Sequence, residues 1–442
     1  MSESAAEREV VELTQALVRV DSSNPPGNET PAARLLFDHL SAAGAECELA
    51  GPDPDRLNLI ARVPGSGEGP SLMLMGHTDV VPAPASNWTF DPFAATIRDG
   101  RMFGRGVADM KGELAARAVA VARLARSGMA PAGDVVLVAE SDEERNVSDC
   151  GMPWLVRERP DLRCDLALNE GGGELLELPA GRRVVTIGIG EKVVTSVRLR
   201  VSGAGGHASL PAVVDNPLQR AAAIVTRLCE HQFPVRVVPA VERALGKLGA
   251  PAPEDATFAE WAAEQHPLLG GLLPAMVRST ITPTGLEAGE PPNVVPPYAD
   301  VICDCRLLPG SSEDDLRALL HEALGDDPGC EIEILEPLAG GTESTTETSL
   351  YDACVAYVQS RLPGAEVLPI IGAGFSDSYW VRRDWDTIAY GFAPVFSTDP
   401  VTYHDGFHAA DECLDVADLV EMTNFASHAI EAVSAAARTG DG

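Results

Sequence analysis

A histidine and an aspartate stand two residues apart directly after an apolar run, and chemistry is first expected here. The run, residues 72–75, is typical of a strand buried on both faces. Gly76 ends it, and His77 and Asp79 follow. Because alternate residues of an extended chain face the same side, Asp79 could steady His77 and leave its second nitrogen free for a metal. A polar turn after a core strand is the simpler interpretation, and the pair alone does not decide between them.

Further acidic residues and a histidine occupy comparable positions along the chain. They are Asp109 in the glycine-rich loop 104–112, Glu143 and Glu144 after one predicted strand, Glu170 after another, and His408 before the last predicted helix. Ligands of open α/β sheets bind at the carboxyl ends of strands, where these side chains would converge. Imidazole nitrogens and carboxylate oxygens bind zinc, and two ions can share one carboxylate. Each residue alone also fits a solvated loop charge, a turn aspartate or a surface histidine.

The elements that must position these residues alternate between strand and helix over the first 190 residues. A capping box of Ser4 and Glu7 predicts a helix to about residue 20, and Thr30 is predicted to cap a second helix. Strands are predicted at 58–63, 72–75, 134–139 and 164–168, with a helix at 113–127. This alternation predicts an α/β fold with a mainly parallel sheet covered by helices on both faces.

The pattern changes near residue 191. Residues 193–202 alternate apolar and polar side chains, as a half-exposed antiparallel strand does, and a helix at 217–230 and a strand at 294–306 follow. We therefore expect an inserted smaller α+β domain at 191–309, which divides the larger domain into 1–190 and 310–442. Helices are predicted at 313–324, 349–362 and 415–436 and a strand at 330–335, whereas the pattern gives no assignment for 238–279.

Charge and cysteine usage restrict the partners and the compartment. The 442 residues include 33 basic and 66 acidic side chains, a net charge of −33, which argues against nucleic acid or an anionic membrane as partner. No apolar run has the length of a membrane span, and the first residues lack signal-peptide features. The nine cysteines include no C-x-x-C pair, and Cys303 and Cys305 are predicted to be buried thiols. We therefore expect a cytoplasmic protein.

Seven motifs follow one another along nearly the whole chain. They are GHTDVV at 76–81, GRGVADMKG at 104–112, DEE at 142–144, GAGGHAS at 203–209, NVVP at 293–296, DCRLLPG at 304–310 and HAADE at 408–412. The ordered set resembles the M20 family of co-catalytic zinc metallopeptidases and amidohydrolases, which includes carboxypeptidase G2-like enzymes, aminoacylase-1, acetylornithine deacetylase and succinyl-diaminopimelate desuccinylase. The resemblance implies a zinc-peptidase-like catalytic domain whose inserted domain acts as a lid or in dimerisation.

The resemblance also implies a set of metal ligands. Asp109 would bridge two Zn²⁺ ions, for which Co²⁺ or Mn²⁺ can substitute. His77 and Glu170 would complete one metal site, and Glu144 and His408 the other.

Three further residues take catalytic roles by the same resemblance. Asp79 would orient His77. Glu143 would be the general base that takes a proton from the attacking water and later delivers it to the leaving amine. His207, in the inserted domain, would stabilise the tetrahedral oxyanion, in many relatives from the partner subunit of a dimer. Hinges are expected near Gly190 and Pro309, where the sequence pattern changes.

The substrate-facing positions are less completely specified. Asn293 and Arg306 match positions near the substrate carboxylate, which suits an arginine fork, although Arg306 could instead form a structural ion pair with Asp304. Glu170 stands where some relatives have Asp, and both residues bind zinc. Asp377 lies in GAGFSDSYW, where relatives commonly have G-G-T-D, and its role stays open.

These observations favour a dinuclear zinc hydrolase that cuts an amide bond next to a free carboxylate. Substrates would be N-acyl amino acids, dipeptides or the C-terminal bond of a short peptide, and a homodimer is expected. The alternative is a non-catalytic binding protein on the same scaffold, which should have lost a ligand or the base. A nucleotide-binding fold is disfavoured because Asp109 stands where a phosphate would need backbone amides and positive charge.

Overall fold

The protein combines a large α/β domain with a smaller α+β domain, and the computed structural model describes residues 5–289, 291–325 and 329–439. The helices are α1 (Ala5–Val18), α2 (Thr30–Ala43), α3 (Lys111–Ser127), α4 (Met152–Glu158), α5 (Pro217–Glu230), α6 (Pro239–Leu248), α7 (Phe258–Gln265), α8 (Pro267–Met276), α9 (Glu313–Leu324), α10 (Ser349–Arg361), α11 (Ser378–Trp385), α12 (Pro400–Gly406) and α13 (Val416–Thr439). The strands of the larger domain are β1 (Glu46–Ala50), β2 (Asn58–Val63), β3 (Leu72–His77), β4 (Thr96–Arg98), β5 (Arg101–Phe103), β6 (Val135–Glu140), β7 (Leu166–Asn169), β8 (Gly172–Glu177), β9 (Arg183–Glu191), β17 (Glu366–Gly372), β18 (Ile388–Gly391) and β19 (Cys413–Asp415). Those of the smaller domain are β10 (Val193–Ser202), β11 (Gly206–His207), β12 (Thr280–Ala288), β13 (Val294–Val295), β14 (Tyr298–Leu307), β15 (Glu331–Ile334) and β16 (Ala339–Gly340).

A nine-stranded sheet is the centre of the larger domain. Its order is β1-β2-β6-β3-β7-β18-β9-β17, with β8 paired to β9, and β3 lies parallel to both of its neighbours. Leu72 and Leu74 face the core beneath α1, α2, α3 and α13, whereas Met73 and Met75 face a second core with α4 and α11. The predicted α/β fold, with strands buried on both faces, is confirmed.

The smaller sheet extends beyond the boundary predicted at residue 309. It has the order β12-β14-β10-β15, with β16 also paired to β10. Both β15 and β16 follow residue 309, and Leu316 and Leu320 of α9 pack in the core of this sheet. The boundary was wrong because a change of pattern marks where a strand begins but does not identify the strand with which it pairs.

The unassigned stretch 238–279 folds into α6, α7 and α8, which leave the smaller domain. Val241, Leu245, Leu269 and Leu273 are buried in the core of the larger sheet. Where the chain departs and returns, a short bridge pairs Val235 with Arg278. We call this two-stranded connection the neck.

The predicted helix caps were not confirmed, whereas the predicted burial of two cysteines was. Thr30 is the first residue of α2 rather than its cap, because its hydroxyl donates to the carbonyl of Pro54 (2.9 Å) and accepts from the amide of Leu57 (2.9 Å). The predicted cap Ser4 lies outside the described residues. Cys303 and Cys305 are buried, as predicted.

Within the described ranges, no helix combines the length and apolarity that crossing a bilayer requires.

Candidate metal centre and active-site cavity

Three adjacent strands of the large sheet deliver three of the five predicted metal ligands, His77, Glu144 and Glu170, to one edge. His77 is the last residue of β3, the 142–144 segment follows β6, and Glu170 follows β7. Since the sheet order is β6-β3-β7, these ends lie side by side. Asp109 approaches from the loop before α3, and His408 from the turn after α12. The convergence expected from the sequence is present in the structure.

The five predicted ligands are close enough to surround metal ions. Asp109 presents one carboxylate oxygen to each histidine: Oδ1 lies 3.0 Å from Nε2 of His77, and Oδ2 lies 3.3 Å from Nε2 of His408. Glu170 Oε2 is 3.7 Å from the same His77 nitrogen, and Glu144 Oε2 is 3.1 Å from the same His408 nitrogen. This is the arrangement that a shared bridging carboxylate requires.

Negative charge accumulates at this centre. Burial raises the pKa of Glu143 well above its usual range, and the charge of Glu170 adds to the effect. Burial likewise raises the pKa of Asp377, aided by the charge of Glu140, and neither carboxylate oxygen of Asp377 has a hydrogen-bond partner among the described residues. Glu144 Oε1 is also buried without such a partner. Bound cations would relieve this repulsion, so the donor set fits one or two metal ions.

Glu143 also lies within reach of a metal. One ligand atom each from His77, Glu143 and Glu170 fall within 4.8 Å of one another, as do atoms from His77, Asp109 and Glu144. Distances alone therefore do not separate a base from a ligand at position 143. Retention of metal after its substitution is the deciding measurement.

Asp79 contacts His77 mainly through its main chain. Nδ1 of His77 lies 2.9 Å from the carbonyl oxygen of Asp79 and 3.6 Å from its carboxylate. The Asp79 carboxylate instead accepts hydrogen bonds from the backbone amides of Glu143 and Glu144, both at 3.1 Å, and from Asn24 at 2.9 Å. Asp79 thus couples His77 to the 142–144 segment.

A buried hydrogen-bond network that the sequence did not predict supports the 142–144 segment. Asn24 also donates to Asp142 (2.8 Å), and Arg56 donates to Asp142 (3.0 Å) and to Glu29 (3.0 Å from Nε to Oε2). Arg56 and Asp142 are 6% and 3% exposed, so their charges are paired out of water. Asn24 lies in a segment that the sequence marks only as a turn, and no local pattern identifies Arg56.

Glu412 holds the loop that carries Asp109. Its Oε1 accepts from the amides of Ala108 (2.7 Å) and Asp109 (3.1 Å), and its Oε2 from the amide of Gly106 (2.9 Å) and from Arg105 Nη1 (2.6 Å). The carboxylate is fully buried. Glu412 lies in the HAADE motif, four residues after His408, and this position was the sequence signal that could have identified it.

Glu412→Ala should therefore destabilise the fold and weaken metal retention together. It removes four hydrogen bonds and leaves the Arg105 charge buried and unpaired, which typically costs about 3–5 kcal/mol. The thermal unfolding midpoint and the metal content after dialysis would report the two effects. Arg157→Ala is the control, because Arg157 and Asp149 form a solvent-exposed pair. An unchanged midpoint for Glu412→Ala would contradict this role.

A cavity of about 640 Å³ opens over the centre, and one wall is apolar. The metal-site wall includes Asp109, Glu143 and Glu170. The apolar lining comes from α8 and from two residues of the 370–375 segment, and includes Leu268, Gly271, Leu272, Ala275, Ile370 and Phe375. The stretch 238–279, which the sequence pattern left unassigned, thus contributes directly to the shape of the site.

A glycine is required where two strands meet beneath Glu170. A Cβ at Gly391 would lie 2.1 Å from the Glu170 carbonyl oxygen and 2.3 Å from that of Gly171. Any side chain there would displace the backbone that carries Glu170.

The three residues predicted in the smaller domain do not line this cavity. His207 is exposed, and its Nδ1 accepts a hydrogen bond from the amide of Ser209. The pairing of β11 with β13 sets His207 opposite Val294, beside Asn293. Arg306 forms a bidentate pair with Asp304 at 2.8 and 2.9 Å, which is the structural alternative considered for it. The roles of His207, Asn293 and Arg306 stay predictions.

Comparison with known proteins matches most of the chain to one family. The sequence model of Peptidase family M20/M25/M40 covers residues 73–432. A succinyl-diaminopimelate desuccinylase of Delftia acidovorans is 29% identical over 421 residues, which are 94% of this chain and 95% of that relative.

Solved structures share the fold over nearly the full length. A M20 family metallo-carboxypeptidase from Sulfolobus solfataricus superposes with a TM-score of 0.72 at 21% identity, covering 98% of this chain and 100% of that one. A dinuclear metal binding peptidase from Bacillus subtilis superposes with a TM-score of 0.60 at 14% identity, covering 97% and 98%. At these identities the likeness concerns the fold.

Proposed function

Since the chain belongs to peptidase family M20/M25/M40 and is an amide-bond hydrolase of that family, we propose that it is a dinuclear zinc enzyme. Its substrates would be N-acyl amino acids or short peptides in which the scissile amide lies next to a free carboxylate. The observation that carries the proposal is the position of Asp109, with one oxygen near each histidine.

His77, Glu170 and Asp109 would hold one ion, and Glu144, His408 and Asp109 the second. When bound, the ions would polarise the scissile carbonyl and lower the pKa of the attacking water. Co²⁺ or Mn²⁺ would serve as substitutes for zinc.

Glu143 would move the protons of the reaction. Its carboxylate lines the cavity beside the ligands, and its amide is fixed by Asp79. It would accept a proton from the attacking water and donate it to the leaving amine. Nearby cations would offset the burial and like charge that raise the pKa of this carboxyl.

The apolar wall supports an apolar group on the substrate. Leu268 and Leu272 of α8 face the same cavity as the ligands. A CH₂ group transferred from water to such a wall gains about 0.8 kcal/mol. We therefore expect an apolar acyl group or side chain to bind there.

A substrate panel with and without chelator tests the proposed function. Metal-loaded protein should hydrolyse some members of a set of N-acyl amino acids and dipeptides, prolonged chelation should abolish this, and added Zn²⁺, Co²⁺ or Mn²⁺ should restore it. Hydrolysis that persists after complete metal removal would contradict a metal-dependent mechanism, and no hydrolysis of any member would favour the binding-protein alternative.

His207→Ala tests the contribution of the smaller domain. If His207 donates to the oxyanion, the variant should lose roughly 10²–10³ in kcat, with unchanged metal content because His207 is not a ligand. If it acts across a homodimer, mixing this variant with Glu143→Gln should restore activity, since one site of the mixed dimer holds a native base and a native histidine.

The interpretation of mixing depends on subunit exchange. Differently tagged subunits, co-purified after mixing, would show that exchange has occurred. Absence of recovery under those conditions would rule out donation across an interface and leave closure within one chain.

A further inference from the structure

A histidine–glutamate pair lies in the active-site cavity without a part in the metal centre. His404 Nε2 is 3.1 Å from Glu174 Oε1, and both residues line the cavity. The Glu174 side chain is 7% exposed, whereas that of His404 is 40% exposed. Thr186 donates its hydroxyl hydrogen to the second oxygen of Glu174. The buried carboxylate therefore fixes the imidazole, which remains accessible.

Among the described residues that line this cavity, His404 is the basic side chain that remains available to a substrate anion. Among the described residues, the other basic groups in its lining are Arg382 and His408. His408 faces Asp109 and Glu144. The guanidinium of Arg382 is buried and donates to a carboxylate, a hydroxyl and a main-chain carbonyl, those of Glu191, Ser344 and Ala389.

The surroundings of His404 favour its charged form. Burial lowers its pKa, but the hydrogen bond and negative charge of Glu174, with a contribution from Asp405, outweigh this and raise the pKa above the usual value. The other neighbours are the hydroxyl of Thr186, through Glu174, and the rings of Tyr403 and Phe407. With Nε2 donating to Glu174, Nδ1 has no hydrogen-bond partner among the described residues, and in the imidazolium it is a donor.

We propose that His404, positioned by Glu174, binds a carboxylate of the substrate inside the cavity. The proposal rests on the proposed amide hydrolase function and adds a specificity-determining residue to it. A hydrogen bond between imidazolium and carboxylate is charge-assisted. The rings of Tyr403 and Phe407 lie against the imidazole of His404. The carboxylate could belong to the leaving amino acid or to the acyl group, and the test separates these sources.

Three probe substrates distinguish the two sources of the carboxylate. N-succinyl-leucine has both carboxylates, N-pentanoyl-leucine only that of the amino acid, and N-succinyl-leucinamide only that of the acyl group. Metal-loaded wild type and His404→Gln are compared for kcat and KM, with Kd measured by calorimetry in a Glu143→Gln background. For the substrates that carry the recognised carboxylate, KM and Kd should rise about 10- to 100-fold, while kcat changes little.

The pH dependence supplies a second readout. The ratio of KM between His404→Gln and wild type should be large below the pKa of His404 and fall towards one as pH rises through it, because the binding charge is then lost. Glu174→Gln should remove the charge that favours the imidazolium and should raise KM for the same substrates. The Glu174→Gln variant therefore also tests the proposal if His404→Gln does not fold.

His231→Gln is the matched control, because His231 pairs with Glu322 at 3.4 Å on the smaller domain, outside the cavity lining. Its KM values should equal those of wild type. Equal KM and Kd changes for all three probes, or none, would overturn the role of His404. If wild type hydrolyses no probe, the proposed function fails for these substrates, and the calorimetric Kd values still decide whether His404 recognises a carboxylate.

Discussion

Glu143→Gln should reduce kcat by about 10²–10⁴-fold, the usual effect of losing a general base. The amide has nearly the shape of the carboxylate, so the cavity and the hydrogen bond from the residue 143 amide to Asp79 should remain. Stopped assays at several substrate concentrations would measure kcat, and elemental analysis would measure bound metal. Substrate Kd should change little.

The neighbouring residue provides the matched comparison for this variant. Glu144 faces His408 at 3.1 Å and is assigned as a ligand, so Glu144→Gln should lose metal as well as activity. Glu143→Gln should retain it. Metal loss in Glu143→Gln would make Glu143 a ligand, and near-native turnover with metal bound would exclude it as the base.

Asp109→Ala should cause the largest combined loss, of both metals and nearly all hydrolysis. Its two oxygens face different histidines, so one substitution removes a ligand from both positions. Removing even a residue that only hydrogen-bonds to a metal ligand typically costs about 10–100-fold in metal affinity, and removing a shared ligand should cost more. Bound metal should fall from about two ions to less than one per chain.

Asp161→Ala is the control, since Asp161 forms a surface pair with Arg159 and is 57% exposed. It should keep wild-type metal content and activity. An Asp109→Ala protein that still holds two tightly bound ions would contradict the bridging assignment.

The sequence predicted the elements whose signals are local. The apolar run 72–75 predicted a strand buried on both faces, and the alternating side chains of β3 do enter two cores. Ligands placed just beyond strand ends converge because parallel neighbours end at the same edge. The convergence of these side chains was accessible from sequence because it depends mainly on strand order; that they bind metal stays a prediction.

Features set by distant partners were not predictable in this way. Thr30 has the chemistry of a helix cap, but residues 54 and 57 engage its hydroxyl. The boundary at 309 was wrong because β15 and β16 return to β10 from beyond it. Arg56 reaches Glu29 and Asp142 across the fold, and no spacing along the chain records such a contact.

The neck separates the helices that shape the cavity from the smaller domain that carries His207. Val235 and Arg278 pair there, and α8 beyond them is anchored in the core of the larger domain by Leu269 and Leu273. Any rotation of the smaller domain would thus carry His207 and leave the apolar wall stationary relative to the metal ligands. The fit of the substrate's apolar group against α8 would then be determined before the smaller domain moves. Movement of the smaller domain would select substrates in a separate step. Substitutions in α8 should then change the ranking of substrates without changing the rate at which the smaller domain moves.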